Sequence, residues 1–172
     1  EIKSQIKDVE SWVGAMEASL KKAQEILKEL PDNHSCEEGM EILRSFHFPI
    51  DQFPEEAEFM AAHPSDLREI VQAVGDNTES FFKFVIREVA AAGLIRQEYW
   101  DGLVELTQVA RGNSHRLFVT CLIPCAKELT IHPSYWGGVV DSLKKTIQAA
   151  GNNGETVILY GFSLLSRVGL LN

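Results

Sequence analysis

The chain has little that would suit a membrane or a nucleic acid. Its longest apolar stretch, around 157–160, is short, whereas a bilayer-spanning helix needs roughly 20 apolar residues. Basic residues are also few: 16 lysines and arginines stand against 25 acidic residues, a formal net charge of −9. Binding to nucleic acid without sequence preference needs a basic surface. We therefore expect neither membrane insertion nor a nucleic-acid partner.

Cysteine is scarce and odd in number, since the chain has three: Cys36, Cys121 and Cys125. This number does not suggest a disulfide framework, and it favours a reducing compartment. We expect the cytoplasm, or the host cytoplasm if the protein is a secreted bacterial effector. Because the chain begins with Glu1 rather than methionine, we expect it to be a fragment of a longer protein.

Motifs for metal, cofactor or phosphate chemistry are missing as well. Cys121 and Cys125 would share one face of a helix, with His115 nearby, but a structural zinc site needs a second close pair of ligands. Neither glycine-rich phosphate loop occurs. We expect no metal, no cofactor and no catalytic residues, with the two cysteines packed in a core. A fragment of a cysteine-dependent enzyme stays an alternative, since Cys36 would lie in the first turn of a helix, where the thiol pKa falls.

All three tryptophans belong to one short pattern, which is the first sign of an internal repeat. Trp-x-Gly, two small or apolar residues and then an acid begin at Trp12, Trp100 and Trp136. The pattern has two interpretations. The tryptophans could be buried between neighbouring units, with glycine allowing a close helix approach, or they could form a ladder of exposed aromatic side chains. Burial is the preferred interpretation.

Turn clusters divide the chain at similar intervals. Gly75-Asp-Asn77, Gly112-Asn113 and Gly151-Asn152 each suit a helix end followed by a new helix start. Asn77 and Asn113 are 36 residues apart, as are Trp100 and Trp136. Each unit is predicted to have a helix A, a turn and a helix B. Helix A is predicted at 65–74, 97–110 and 133–149, and helix B at 78–92, 114–129 and 153–168.

A strand is the competing prediction for the apolar runs 117–122 and 157–160, which are rich in β-forming residues. We favour helix because the equivalent run of the first unit carries Lys83, Arg87 and Glu88 at helical spacing. The fold class is therefore all-α. In size and rhythm, residues 59–172 resemble HEAT- or armadillo-type α-solenoid repeats. The resemblance is architectural, and it carries no binding residues over. A compact irregular helical bundle is the alternative.

The first 58 residues are predicted to be a divergent repeat or a cap that is continuous with the three helix pairs. A long amphipathic helix is expected over 2–29 and a second helix over 35–46. A loop and a short helix through Met60 follow. The single domain would thus divide into 1–58 and 59–172.

A repeat without a catalytic constellation favours a protein-interaction or scaffolding module of a larger protein. The partner would be another protein of unknown identity, and the oligomeric state is open. A structural self-association segment is a second alternative, suggested by the apolar C-terminal run 164–171. The candidate binding residues are aromatic pairs on helix A and polar residues at the turn edge: Tyr99, Trp100, Tyr135, Trp136, Asn77, Arg111, Asn113 and His115.

Overall fold

A computed structural model of the chain describes residues 2–29, 36–128, 132–153 and 156, and within them all regular secondary structure is helical. The all-α prediction is confirmed. The elements of the N-terminal region are α1 (Ile2–Glu29), α2 (Cys36–Ser45) and α3 (Pro54–Ala61). They are followed by α4 (Pro64–Val74), α5 (78–91), α6 (Gln97–Ala110), α7 (114–128) and α8 (Pro133–Ala150). The predicted last helix B, 153–168, lies outside the described residues apart from its first position and 156.

The sequence sets several helix starts directly. Proline occupies the first position of α3, α4 and α8, where a missing N–H costs nothing. At α8, the ring of His132 accepts a hydrogen bond from the backbone N–H of Ser134 at 3.2 Å. These starts fall within a residue or two of the predicted bounds.

Two helices contain a wider helical turn that the periodicity did not predict. In α5 the segment Phe81–Ile86 is π-helical, and in α7 the segment Phe118–Leu122 is π-helical. Both segments are largely buried. They begin 37 residues apart.

The three A helices contact each other in series, with α6 between α4 and α8. The indole N–H of Trp100 on α6 donates to Asp66 Oδ2 on α4 at 2.7 Å. The indole N–H of Trp136 on α8 donates to the backbone oxygen of Tyr99 on α6 at 3.0 Å. Each tryptophan therefore ties its own helix to the preceding A helix.

The B helices meet through aromatic rings. Phe81 of α5 and Phe118 of α7 pack edge to face with ring centroids 5.7 Å apart, and Phe46, just after α2, lies 5.0 Å from Phe82. A buried apolar cluster extends from Ala23 to Ile147. Edge-to-face pairs of this kind add to the stability that burial alone provides.

The tryptophan of the Trp-x-Gly pattern is buried at two of its three copies, and the glycine makes room for a neighbour at one of them. Trp100 and Trp136 are 1% and 4% exposed. A Cβ added to Gly102 would lie 2.4 Å from Nε1 of Trp136, so this glycine makes room for the next unit's indole. The preferred interpretation is wrong for Trp12, which is 64% exposed. Its helix α1 has no neighbouring unit against that face within the described residues.

Among the described residues, helix α1 packs on the rest of the protein through its last third. Ala23 and Leu27 are buried in contacts with α2 and α4, whereas Ile2, Ile6, Val9, Trp12 and Val13 are exposed. Helices α2 and α3 pack closely, since a Cβ on Gly39 would lie within 2.8 Å of Ala61. None of the helices in the described ranges is long and apolar enough to cross a membrane.

Candidate binding site at the turn edge

Three short turns connect an A helix to the helix that follows it, and all three have the same backbone. The turns are the 3-10 segments Gly75–Asn77, Arg111–Asn113 and Gly151–Asn153. Their first residues have φ/ψ of 56°/−122°, 46°/−119° and 52°/−119°. In the first two turns, the N–H of this residue donates to the carbonyl of the residue four positions earlier, which ends the helix. Asparagine stands third in every turn.

The middle turn differs from the alignment that the sequence suggests. Gly112 was expected to hold the helix-ending position taken by Gly75 and Gly151, but Arg111 holds it and Gly112 comes second. The third-position asparagines 77, 113 and 153 mark the correct register. Alignment on the glycines therefore shifts the middle turn by one position, whereas alignment on the third-position asparagines does not.

Arg111 is therefore held in a backbone region that suits glycine. With positive φ and ψ near −120°, a side chain clashes with the neighbouring peptide groups, at a cost of order 1–3 kcal/mol. Only one other non-glycine residue in the described ranges has positive φ, His47 at 61°. His47 lies two residues after α2, and its Nδ1 is 2.8 Å from Glu79 Oε1, a contact that helps to offset the strain. Within the described residues, the Arg111 side chain has no such hydrogen bond or ion pair.

Arg111 lies at a cavity of about 130 Å³ between the first and second turns. Val74 and Phe81 are buried and supply its apolar floor. The polar rim is exposed or half-buried, and the lining as a whole comprises Val74, Asn77, Ser80, Phe81, Arg111, Gly112 and His115. Three of the candidate binding residues, Asn77, Arg111 and His115, thus converge on one cavity although they come from two different turns.

Buried hydroxyl groups fix the two turns on either side of the cavity. Thr78 Oγ1 donates to the Gly75 carbonyl at 2.6 Å, which closes the first turn. Ser114 Oγ donates to the Thr107 carbonyl at 3.0 Å, which fastens the start of α7 to the end of α6. Both hydroxyl residues are fully buried. The rim residues are therefore carried on rigid backbone.

The chemistry of the rim suits an anionic group. The guanidinium of Arg111 offers paired N–H donors that match a carboxylate or a phosphate. His115, Asn77 and Ser80 add further polar groups around the same opening. A volume near 130 Å³ accommodates one side chain, since an apolar cavity of about 150 Å³ holds benzene.

In the described parts of the chain, no group of three or more His, Cys, Asp or Glu residues could hold a metal ion.

The other candidate residues lie elsewhere. Asn113 is half-buried in the middle turn but does not line the cavity. Tyr99, Trp100 and Trp136 are between 1% and 7% exposed. Their side chains form the contact between A helices and leave almost no surface for a partner, so an exposed aromatic ladder is not formed there. Tyr135 is 72% exposed, on α8 and separate from the cavity.

The cysteines of α7 lie in the core region. Cys121 is buried and Cys125 half-buried, and the two side chains are thiols that are not joined in a disulfide. Burial, together with the adjacent Cys125 thiol, raises the pKa of Cys121 from 9.0 to about 12. Cys121 is consequently a protonated, poorly nucleophilic thiol at neutral pH. The side chain of Cys36 lies outside what the structure describes.

No protein-family profile, curated protein or solved structure matches this chain.

Proposed function

We propose that the chain is a helical-repeat module that binds a segment of another protein, and that the cavity at the turn edge receives an acidic group of that segment. The observation that carries the proposal is the strained backbone of Arg111 at the rim. Glycine at the same position in the other two turns relieves this strain. A residue that costs stability and gains no hydrogen-bond or ion-pair partner among the described residues is typical of a binding site.

The order of helix contacts supports a repeat module. Helices α4, α6 and α8 meet in series, and so do α5 and α7 through their rings. We infer that the units stack as a short α-solenoid, with the A–B turns along one edge. Solenoids of this kind bind extended partners along a continuous surface, to which each repeat contributes a few side chains.

The combination of charges supports an acidic ligand. The chain as a whole has a net charge of −9, so a cationic rim is a local exception to its surface. Arg111 in the second turn and His115 in the first turn of α7 are four positions apart, and both are exposed. A carboxylate that enters the cavity would leave its aliphatic carbons against Phe81 and Val74.

A peptide-display selection tests this proposal. Random peptides would be selected on the native protein, and the affinities of the enriched peptides would be compared between native protein and Arg111→Gly. We expect enrichment of Asp, Glu or a free C-terminal carboxylate, and a loss of affinity of at least tenfold in the variant, about 1.4 kcal/mol. Lys145→Ala removes one positive charge from exposed α8 surface and is the matched control. Enriched peptides that bind Arg111→Gly as tightly as the native protein would refute the site.

A cysteine-dependent enzyme gains no support from Cys121, because its thiol is buried and its pKa is raised. The thiol state of Cys121 and Cys125 fits the proposal of a reducing compartment.

A further inference from the structure

Helix α1 carries an apolar stripe with a strict heptad spacing along its whole length. The stripe consists of positions spaced alternately four and three residues apart: Ile2, Ile6, Val9, Val13, Met16, Leu20, Ala23 and Leu27. An alternating four–three spacing over more than three heptads is typical of a coiled-coil seam.

Within the described residues, only the end of this seam is covered. Ala23 and Leu27 are 5% and 1% exposed, because they pack on α2 and α4. Towards the N-terminus, Ile2, Val9 and Val13 are 74%, 58% and 40% exposed. Isolated helices are marginal in water, and an apolar seam of this length normally has a partner helix.

We propose that residues 2–20 of α1 pair with the same residues of a second copy of this chain, as an antiparallel two-helix coiled coil. In this register, Ile2 lies opposite Leu20 of the second copy and Val9 lies opposite Val13. Every seam position between Ile2 and Leu20 of one copy thereby faces a seam position of the other copy. The seam is already covered beyond Leu20, so the two helical bodies lie at opposite ends of the pair.

Flanking charges favour the antiparallel orientation. There, Lys3 of each copy faces Glu17 of the other, which gives two opposite-charge pairs, while Glu10 approaches its own counterpart near the two-fold axis. A parallel pair would instead place Gln5 beside Glu10 and Trp12 beside Glu17, without any opposite-charge pair. Flanking charges of this kind choose partner and orientation in coiled coils.

The area supports a weak but specific dimer. Ile2, Ile6, Val9, Trp12 and Val13 together expose roughly 500 Å² per copy, a large apolar patch for a monomer. Pairing two copies would bury about 1,000 Å², near the lower end for specific interfaces. The antiparallel register also brings the two copies of Trp12, each 64% exposed, beside each other at the two-fold axis. We therefore expect a dissociation constant in the micromolar range.

Light scattering over a concentration series, with two matched variants, tests the dimer. Val9→Glu adds a negative charge to the seam, and Ser11→Glu adds the same charge in the same turn on the opposite face. Both positions are exposed, so neither change disturbs the folded body. We expect the native protein and Ser11→Glu to rise to twice the monomer mass, and Val9→Glu to stay monomeric. A native protein that is monomeric throughout, or a Val9→Glu variant that dimerises equally well, would overturn the proposal.

Cysteine cross-linking tests the orientation. The variants Val9→Cys and Val13→Cys would be oxidised separately and as an equal mixture. Mass spectrometry would then identify the linked peptides, so that links through the native cysteines can be set aside. An antiparallel pair links position 9 to position 13 in the mixture only. Linking of position 9 to itself and of position 13 to itself in the separate samples would show a parallel pair and overturn the assignment. Failure of either test leaves the turn-edge proposal intact, since the cavity and α1 share no residue.

Discussion

Gly102 provides a sensitive test of how the A helices pack. Gly138, at the same place in another copy of the Trp-x-Gly pattern, serves as its control. Substitution of alanine would place a Cβ 2.4 Å from Trp136 Nε1 and 2.7 Å from Val140 Cγ2. Neither neighbour is the free end of a flexible chain, since both are buried on α8. Helix α8 would have to move away from α6.

Three energies determine the size of the effect. Alanine is a better helix former than glycine by roughly 0.5–1 kcal/mol. Overpacking of a tight contact costs about 1–3 kcal/mol. Displacement of Trp136 also weakens its 3.0 Å hydrogen bond to the Tyr99 carbonyl, and a buried donor without a partner costs about 1–3 kcal/mol. The balance is a loss of about 2 kcal/mol in the free energy of unfolding.

Gly138 follows Trp136 as Gly102 follows Trp100, but a Cβ added to it would contact nothing within 4 Å. Gly138→Ala should therefore stabilise the protein by roughly 0.5–1 kcal/mol. Thermal unfolding followed by circular dichroism should show Tm lowered by roughly 4–8 °C for Gly102→Ala and raised by about 2 °C for Gly138→Ala. Shifts of the same sign in the two variants would refute the packing argument.

Three further results are expected, two from the burial of Cys121 and one from the hydrogen bond of Ser114. Cys121 should react with a small thiol reagent only as fast as the protein opens; rapid labelling in the folded state would show an accessible thiol. Above pH 9 the unfolded thiol ionises while the folded one stays protonated towards pH 12, so stability relative to Cys121→Ala should fall by about 1.4 kcal/mol per pH unit. Ser114→Ala, which removes the 3.0 Å bond to Thr107, should lower the free energy of unfolding in urea by about 1 kcal/mol.

Helix positions could be predicted from the sequence because they depend on local signals. The starts of α4 and α8 follow from Pro64 and Pro133, and the end of α4 follows from Gly75. The burial of Trp136 was also predictable, since its motif offered glycine two positions after each tryptophan. Periodicity did not reveal the π-helical segment at Phe81–Ile86, because the same apolar residues suit either helical form.

The candidate site was predicted in part. Asn77, Arg111 and His115 were recognised as turn-edge residues, but sequence spacing could not show that two turns share one cavity. Nor could it show the positive φ of Arg111, since Gly112 next to it supplied a more ordinary explanation for the turn. The exposure of Trp12 depends on which face of α1 the rest of the chain covers, and that is a property of the tertiary fold.

We propose that the guanidinium of Arg111, held in a glycine position, binds an acidic group, and the variant Arg111→Gly measures the strain and the binding together. Relief of about 1–3 kcal/mol of strain, less the roughly 0.5–1 kcal/mol entropic cost of a glycine, should stabilise the fold by about 1 kcal/mol. The measurement is Tm and affinity for a selected acidic peptide, on the same sample. We predict a Tm higher by roughly 2–4 °C together with at least tenfold weaker binding. A Tm that falls, or a peptide affinity that does not change, would contradict the account.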